Sequence, residues 1–234
     1  MSTFLNASPI FGPVRSRRLG LSLGVNMMPA SGKICTFDCI YCENGFNGER
    51  PCHEPYNTAA VVHDALEAKL REMAAEGELP DVITFAGNGE PTAAPEFSQA
   101  IAGAVALRDE LAPSTKIAVL SNGTRADQPA VHDALMMVDD NILKLDTVDP
   151  TFIQLLDQPV GPYDVEHQIE TFASFNGHVI IQTIFLTGEY QGKSIDNTGE
   201  EYVGPWLAAL ERIRPQEATI YTVARETPVA GLAK

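Results

Sequence analysis

Residues 35–42 read Cys35-Thr36-Phe37-Asp38-Cys39-Ile40-Tyr41-Cys42, a C-x3-C-x2-C spacing with an aromatic residue just before the third cysteine. A fourth cysteine, Cys52, falls within the same 18 residues, and the rest of the chain has none. A chain of 234 residues buries well over half the surface it exposes when unfolded, so neither disulfides nor a structural metal are needed to hold it together. Crowded cysteines in a reducing compartment then point to a metal or to catalysis. Three thiolates on so short a loop can wrap one corner of a cube-shaped iron–sulfur cluster, each binding a different iron and leaving the fourth iron open to a ligand. The competing assignment is a closed zinc site with Cys52 or His53 as fourth ligand. The cluster reading needs only the three cysteines of the motif and leaves Cys52 as a free thiol.

Outward from this loop, strand and helix patterns alternate. Before it, Leu21 to Asn26 reads as a strand. After it, Val62, Leu66, Leu70 and Met73 recur at helical spacing within 58–76, with Thr58 or Asn57 as N-cap and Gly77 as terminator. Asp81 to Phe85 is a short buried strand that runs into the turn Gly87-Asn88-Gly89-Glu90-Pro91, and a helix follows from Pro95. The pattern then repeats: strand Lys116 to Leu120 with the exit loop Ser121-Asn122-Gly123-Thr124, helix Pro129 to Met137, and strand Asn141 to Leu145. Asp149 caps a short helix opened by Pro150. The helix Val165 to Phe175, the apolar strand Val179 to Leu186, the helix Glu200 to Arg212 and the strand Thr219 to Val223 complete the series. Parallel neighbours need crossovers, and crossovers cover the sheet, so six such strands predict an α/β fold with a parallel sheet under helices. Alternation alone leaves a doubly wound sheet and a barrel both open. In either, the loops at the carboxyl ends of the strands form the site, and the cysteine loop, the Gly87–Pro91 turn and the Ser121–Thr124 loop all stand there. Little sequence remains after Val223 to roof such a site, so a large substrate, or one that closes the site itself, is expected.

Composition narrows the partners. Acidic residues outnumber basic ones 31 to 16, a net charge of −15, which disfavours non-specific attraction to nucleic acid or to an anionic membrane. The first 34 residues nevertheless hold Arg15, Arg17, Arg18 and Lys33 and no acid, so a local basic approach to the cysteine loop is expected. No stretch approaches the roughly 20 apolar residues needed to cross a bilayer, and no basic-then-apolar leader opens the chain, so a cytoplasmic protein is expected.

The cysteine spacing with its aromatic residue resembles the signature of the radical S-adenosylmethionine superfamily. Gly12-Pro13-Val14-Arg15-Ser16-Arg17-Arg18-Leu19-Gly20 and Ser22-Leu23-Gly24-Val25-Asn26 resemble an iron–sulfur oxidoreductase subgroup related to the archaeal wyosine-biosynthesis enzyme. Gly87-Asn88-Gly89-Glu90-Pro91-Thr92 is similar to the same subgroup, standing where the wider superfamily has Gly-Gly-Glu-Pro. Ser121-Asn122-Gly123 and Leu143-Lys144-Leu145-Asp146 resemble its next loop and strand. The resemblance spans most of residues 10 to 230.

It implies a partial (β/α)6 TIM-like barrel in a single domain, with a core of about residues 20–225 and the basic segment 1–34 leading into the cluster loop. Cys35, Cys39 and Cys42 would hold a [4Fe-4S] cluster whose open iron binds S-adenosylmethionine. Reduction of the sulfonium would then give methionine and a 5′-deoxyadenosyl radical that abstracts hydrogen from a substrate the sequence does not name. A flavodoxin- or ferredoxin-like electron donor is the implied partner. The cofactor-binding candidates are Tyr41, Gly87, Asn88, Gly89, Glu90, Ser121, Asn122, Lys144 and Gln182. Gly89 would let backbone approach the methionine amino group, and Glu90 would accept from it or fix the loop. Ser121 and Asn122 suit ribose hydroxyls or a carboxylate. Lys144 is a cation in the barrel mouth for which a carboxylate partner is expected. The plainer readings are an ordinary tight turn at Gly87–Pro91 and the polar face of a strand at Lys144 and Asp146. Two other functions compete: an activase that installs a radical on a partner protein, and a non-catalytic zinc or iron–sulfur binding protein. RNA is suggested only by the wyosine relative and is disfavoured by net charge; any binding is expected to depend on Arg15, Arg17 and Arg18.

Overall fold

The computed structural model describes residues 3–16 and 19–234. Nine strands are found among them: β1 Ile10–Ser16, β2 Gly20–Val25, β3 Val82–Phe85, β4 Lys116–Ser121, β5 Asp140–Lys144, β6 Ile180–Ile184, β7 Thr187–Tyr190, β8 Lys193–Asp196 and β9 Glu217–Tyr221. The helices are α1 Ala59–Glu76, α2 Phe97–Leu111, α3 Pro129–Met136, α4 Pro150–Leu156, α5 Val165–Ala173 and α6 Glu200–Ile213. Seven strands form one sheet in the order β1-β2-β3-β4-β5-β6-β9, while β7 and β8 pair separately as a hairpin. Within the seven-stranded sheet every pairing from β2 onward is parallel, and the strand order follows the chain order without reversal. A doubly wound sheet would reverse direction at a switch point; this one winds one way, as a partial barrel does.

Helix boundaries follow local chemistry. Thr58 caps α1 by accepting from Val61 N, Gly77 ends it at φ 76°, and Asp149 caps α4 by accepting from Phe152 N. Asn57, the other cap candidate, instead donates from Nδ2 to Ser8 Oγ and to the carbonyls of Asn26 and Met28. Alternate strand residues face two cores, as the two-residue period of a strand requires. Leu23, Val25, Ile83, Phe85, Ile117, Val119, Leu143 and Ile181 pack outward against the helices, whereas Val82, Ala118, Ile142 and Ile180 fill the amino-terminal part of the barrel. Both strand faces are thereby apolar, which is why these strands read as nearly continuous hydrophobic runs.

Three departures from the sequence reading bear on the site. First, β1 pairs antiparallel with β2, with Arg15 opposite Leu21, so the chain delivers Arg15 to the amino-terminal rim of the sheet. There its guanidinium pairs with Glu78 at 3.1 Å. The expected basic approach to the cysteine loop is therefore not made by Arg15; Arg17 and Arg18 lie outside the described residues. Second, the hairpin β7–β8 is inserted after β6. Third, the residues after β9 fold back over the barrel mouth: Ala233 pairs with Thr187, and Val223, Val229 and Leu232 pack with Ile40 of the cysteine loop. No helix of the described residues is long and apolar enough to cross a membrane.

Phe85 is fully buried, edge-on to Phe97 at 6.2 Å between ring centroids. Phe85→Ala is expected to cost about 3–5 kcal/mol of unfolding free energy in urea denaturation, with the slope on denaturant concentration unchanged.

Candidate active site

The cysteine loop leaves β2 and is pinned to the turn after β3 by backbone. Ile34 N donates to Asn88 O at 3.0 Å, and Glu90 N donates to Ile34 O at 3.0 Å. Gly89 sits between them at φ +138°, and a Cβ there would overlap the carbonyl of Ile34. The glycine is thus explained by the close approach of the cysteine loop's own backbone. Within the loop, the Asn47 side chain donates to the carbonyls of Cys35 and Phe37 at 3.2 and 3.1 Å, and the buried Lys33 ammonium donates to Gly45 O at 2.7 Å.

Cys35, Cys39 and Cys42 are free, half-buried, and line one cavity of about 490 Å3 at the carboxyl ends of the parallel strands. Tyr41, Gly87, Gly89, Glu90, Ser121, Asn122, Lys144 and Gln182 line the same cavity. Asn88 does not: it is fully buried, its Oδ1 accepts from Asn6 N at 2.7 Å, and its Nδ2 donates to Asn6 O and Pro29 O at 3.0 and 3.2 Å. Its place is a clasp for the amino-terminal segment. Cys52 also stands apart, its Sγ 3.6 Å from Ser31 Oγ and 3.9 Å from Glu54 O, outside the cavity wall. Among the described residues no three or more His, Cys, Asp or Glu side chains are grouped to hold a single metal ion.

The rim between β3 and β4 is organised by Glu90. Its Oε1 accepts from Thr92 N, Thr92 Oγ1 and Ser121 Oγ at 3.0, 2.6 and 2.7 Å, and its Oε2 accepts from Asn122 N at 2.7 Å. Of the two roles expected for Glu90, the structure displays the fixing of loops. The Asn122 amide donates to Thr36 Oγ1 at 2.8 Å and approaches Cys35 Sγ at 3.8 Å, which ties β4's exit to the cysteine loop.

The rim between β5 and β6 is ionic. Lys144 finds the expected carboxylate twice, pairing with Asp157 and with Asp146 Oδ2 at 3.1 Å, and its ammonium lies 3.0 Å from Cys39 Sγ. The Tyr41 hydroxyl donates to Asp146, whose other oxygen accepts from Ile184 N at 2.9 Å. Burial lifts the Asp157 carboxyl to about 7 against the pull of Lys144, and lifts the Tyr41 phenol well above its usual range. Burial also pushes the Cys35 thiol up to about 12, with Glu90 adding to it and Lys33 opposing, and it raises Cys39 against Lys144. A bound metal's positive charge would act against this and favour the thiolates.

Sequence reasoning did not single out Asp157, or the closing segment Tyr221, Thr222, Ala224, Arg225 and Thr227, which lines the cavity as well. Arg225 pairs with Glu43 of the cysteine loop at 2.7 Å. The hydroxyl of Thr222 is buried in the cavity wall with no hydrogen-bond partner.

This sheet with its loop-borne thiols is the fold of the radical S-adenosylmethionine enzymes. Streptococcus suis SuiB bound to S-adenosylmethionine superposes with a TM-score of 0.61 at 15% identity, over 90% of this chain and 43% of that one. TYW1 with a lysine-pyruvate adduct bound also gives a TM-score of 0.61, at 14% identity, over 90% of this chain and 67% of that one. By sequence, the chain belongs to the UPF0026 family: it is 31% identical over 228 residues to a UPF0026 protein of Synechocystis sp., covering 94% of this chain and 77% of that protein. It spans 58% of the length of the UPF0026 protein of Helicobacter pylori. No protein-family model matches the chain.

Burial raises the Glu90 carboxyl above its usual value, the donors around it only partly offsetting this. The folded protein therefore holds this proton more tightly than the unfolded chain, and the residue's contribution to stability falls as pH rises from the unfolded value through the folded one. Glu90→Gln is expected to cost about 1–3 kcal/mol, because an amide brings a donor to a site of donors. It should also remove Glu90's share of that pH dependence, as read by urea unfolding across a pH series.

Proposed function

We propose that this protein is a radical S-adenosylmethionine enzyme. The observation that carries the reading is the placement of Cys35, Cys39 and Cys42, without Cys52, on one wall of a single cavity at the carboxyl rim of a partial barrel. The donor set suits a [4Fe-4S] cluster: three thiols on one loop, with Lys33 and Lys144 ammonium groups beside them to offset the charge of sulfur ligands. The cavity is of the size that small-molecule cofactors occupy, roughly 300–1,000 Å3. Cluster and S-adenosylmethionine, when bound, supply a one-electron cleavage of the sulfonium that yields methionine and a carbon radical able to abstract hydrogen.

The chain's own contribution is placement and exclusion of water. Gly87, Gly89, Ser121, Asn122 and Gln182 offer backbone and polar side chains around the space for the cosubstrate, and Tyr41 closes it beside the thiols. Glu90 keeps the two turns in register. The segment 221–227 covers the mouth, so part of the roof comes from the chain itself. The likeness to SuiB bound to S-adenosylmethionine supports the cosubstrate, and the likeness to TYW1 with a lysine-pyruvate adduct bound supports a site that takes a substrate rather than a purely structural metal site. A flavodoxin- or ferredoxin-like protein is the proposed reductant.

Anaerobic reconstitution with iron and sulfide should give a broad absorbance near about 400 nm, and the reduced protein should convert S-adenosylmethionine to 5′-deoxyadenosine. Cys39→Ala should lose both, while Cys52→Ala keeps both. Stoichiometric zinc with no such absorbance would overturn the reading.

A further inference from the structure

We propose that Lys144 is a positioning residue that holds Cys39 and raises the reduction potential of the cluster bound there, rather than a contact to S-adenosylmethionine; this rests on the function proposed above. An ammonium has three N–H donors and no acceptor. Here three acceptors surround it: Asp157 Oδ1, Asp146 Oδ2 at 3.1 Å and Cys39 Sγ at 3.0 Å. No N–H is left over for a cosubstrate carboxylate, although the residue lines the cavity.

The ammonium is also held in place. Its side chain is only 13% exposed, and it lies 5.0 Å and 4.8 Å from the ring centroids of Phe37 and Tyr41, both on the cysteine loop. Asp146 is fixed in turn by Tyr41 Oη and Ile184 N. A long side chain locked in this way is a fixed positive donor aimed at one sulfur. Cys35, by contrast, takes its hydrogen bonds from neutral groups, the amide of Asn122 at 3.8 Å and the Phe37 backbone N–H, and Lys33 acts on it by charge alone. Hydrogen bonds and positive charge at a ligating sulfur favour the more negative, reduced cluster, which moves its potential upward. The same wall thus serves the electron-accepting step without touching the cosubstrate.

The test is an EPR-monitored redox titration, with dithionite as reductant, of the reconstituted full chain without S-adenosylmethionine. Lys144→Met should shift the midpoint to a more negative potential. Because that change leaves Asp146 and Asp157 facing each other, the charge-balanced variant Lys144→Met with Asp157→Asn is the second arm. It removes one positive and one negative charge, so a negative shift that persists isolates the lost donor to Cys39. In this variant the affinity for S-adenosylmethionine should stay within about twofold of wild type, whereas loss of a direct contact would cost about tenfold or more. An unchanged or more positive midpoint in the balanced variant, or a tenfold loss of affinity, would overturn the proposal while leaving the enzyme assignment standing. Failure of the wild-type chain to assemble any cluster would overturn both.

Discussion

The position of the cysteine loop depends on one backbone pairing, that of Ile34 with the turn at Gly89. A pair of hydrogen bonds makes the residue before Cys35 an isolated parallel bridge to that turn, and only a residue without a Cβ admits it. The rest of the rim takes its register from there. Glu90, the next residue, presents its carboxylate to Ser121 and to Asn122 N, and the Asn122 side chain returns to Thr36. The exits of β2, β3 and β4 are therefore one hydrogen-bonded ring. The far end of the loop is held by different means, with Ile40 buried among Phe152, Leu156, Ile184, Leu186 and Ile195. Polar stitching at one end and apolar burial at the other set where the three thiols stand.

Five of the six parallel strands, β2 to β6, were legible because both their faces are largely buried, so β-branched and apolar residues run together between turn signals; the edge strand β9 is mostly exposed and was legible from its position in the alternation. The strand at the opposite edge was not. Ile10–Ser16 contains Gly12 and Pro13, its pairing is interrupted between Phe11 and Val14, and Val14 is exposed, so no regular period survives. Hairpin β7–β8 is likewise mostly polar, with only Ile195 fully buried. In the site, residues on the motifs could be named in advance because turn glycines and cysteines carry their chemistry in their type. Asp157 could not. In sequence it ends a short helix before Gln158-Pro159; only the folding of α4 against the cysteine loop makes it the counter-ion of Lys144. Asn88 sits inside a motif, yet the fold turns its side chain away from the cavity to clasp Asn6.

Net charge proved to be a statement about the outer surface. The antiparallel turn into β2 takes Arg15 to the rim away from the cavity, where it pairs with Glu78. The cations that do reach the thiols are buried ones, Lys33 and Lys144, each neutralised by local acceptors. An acidic protein can thus keep buried cations beside its cysteines.

The cavity wall is divided in kind. On the β3–β4 side a single carboxylate is saturated by neutral donors; on the β5–β6 side one ammonium is shared between two carboxylates and a cysteine. The second arrangement is costly, since each buried ion loses several kcal/mol of hydration that mutual attraction only partly restores. Apolar residues of similar volume at Lys144 and Asp157 would hold the fold about as well, whereas Asp146 is also needed as the acceptor for Ile184 N and Tyr41 Oη. What they could not do is deliver a fixed positive donor to Cys39 while leaving the opposite wall free to meet a cosubstrate. The expense of the ion group is intelligible through the sulfur it touches rather than through the stability of the barrel.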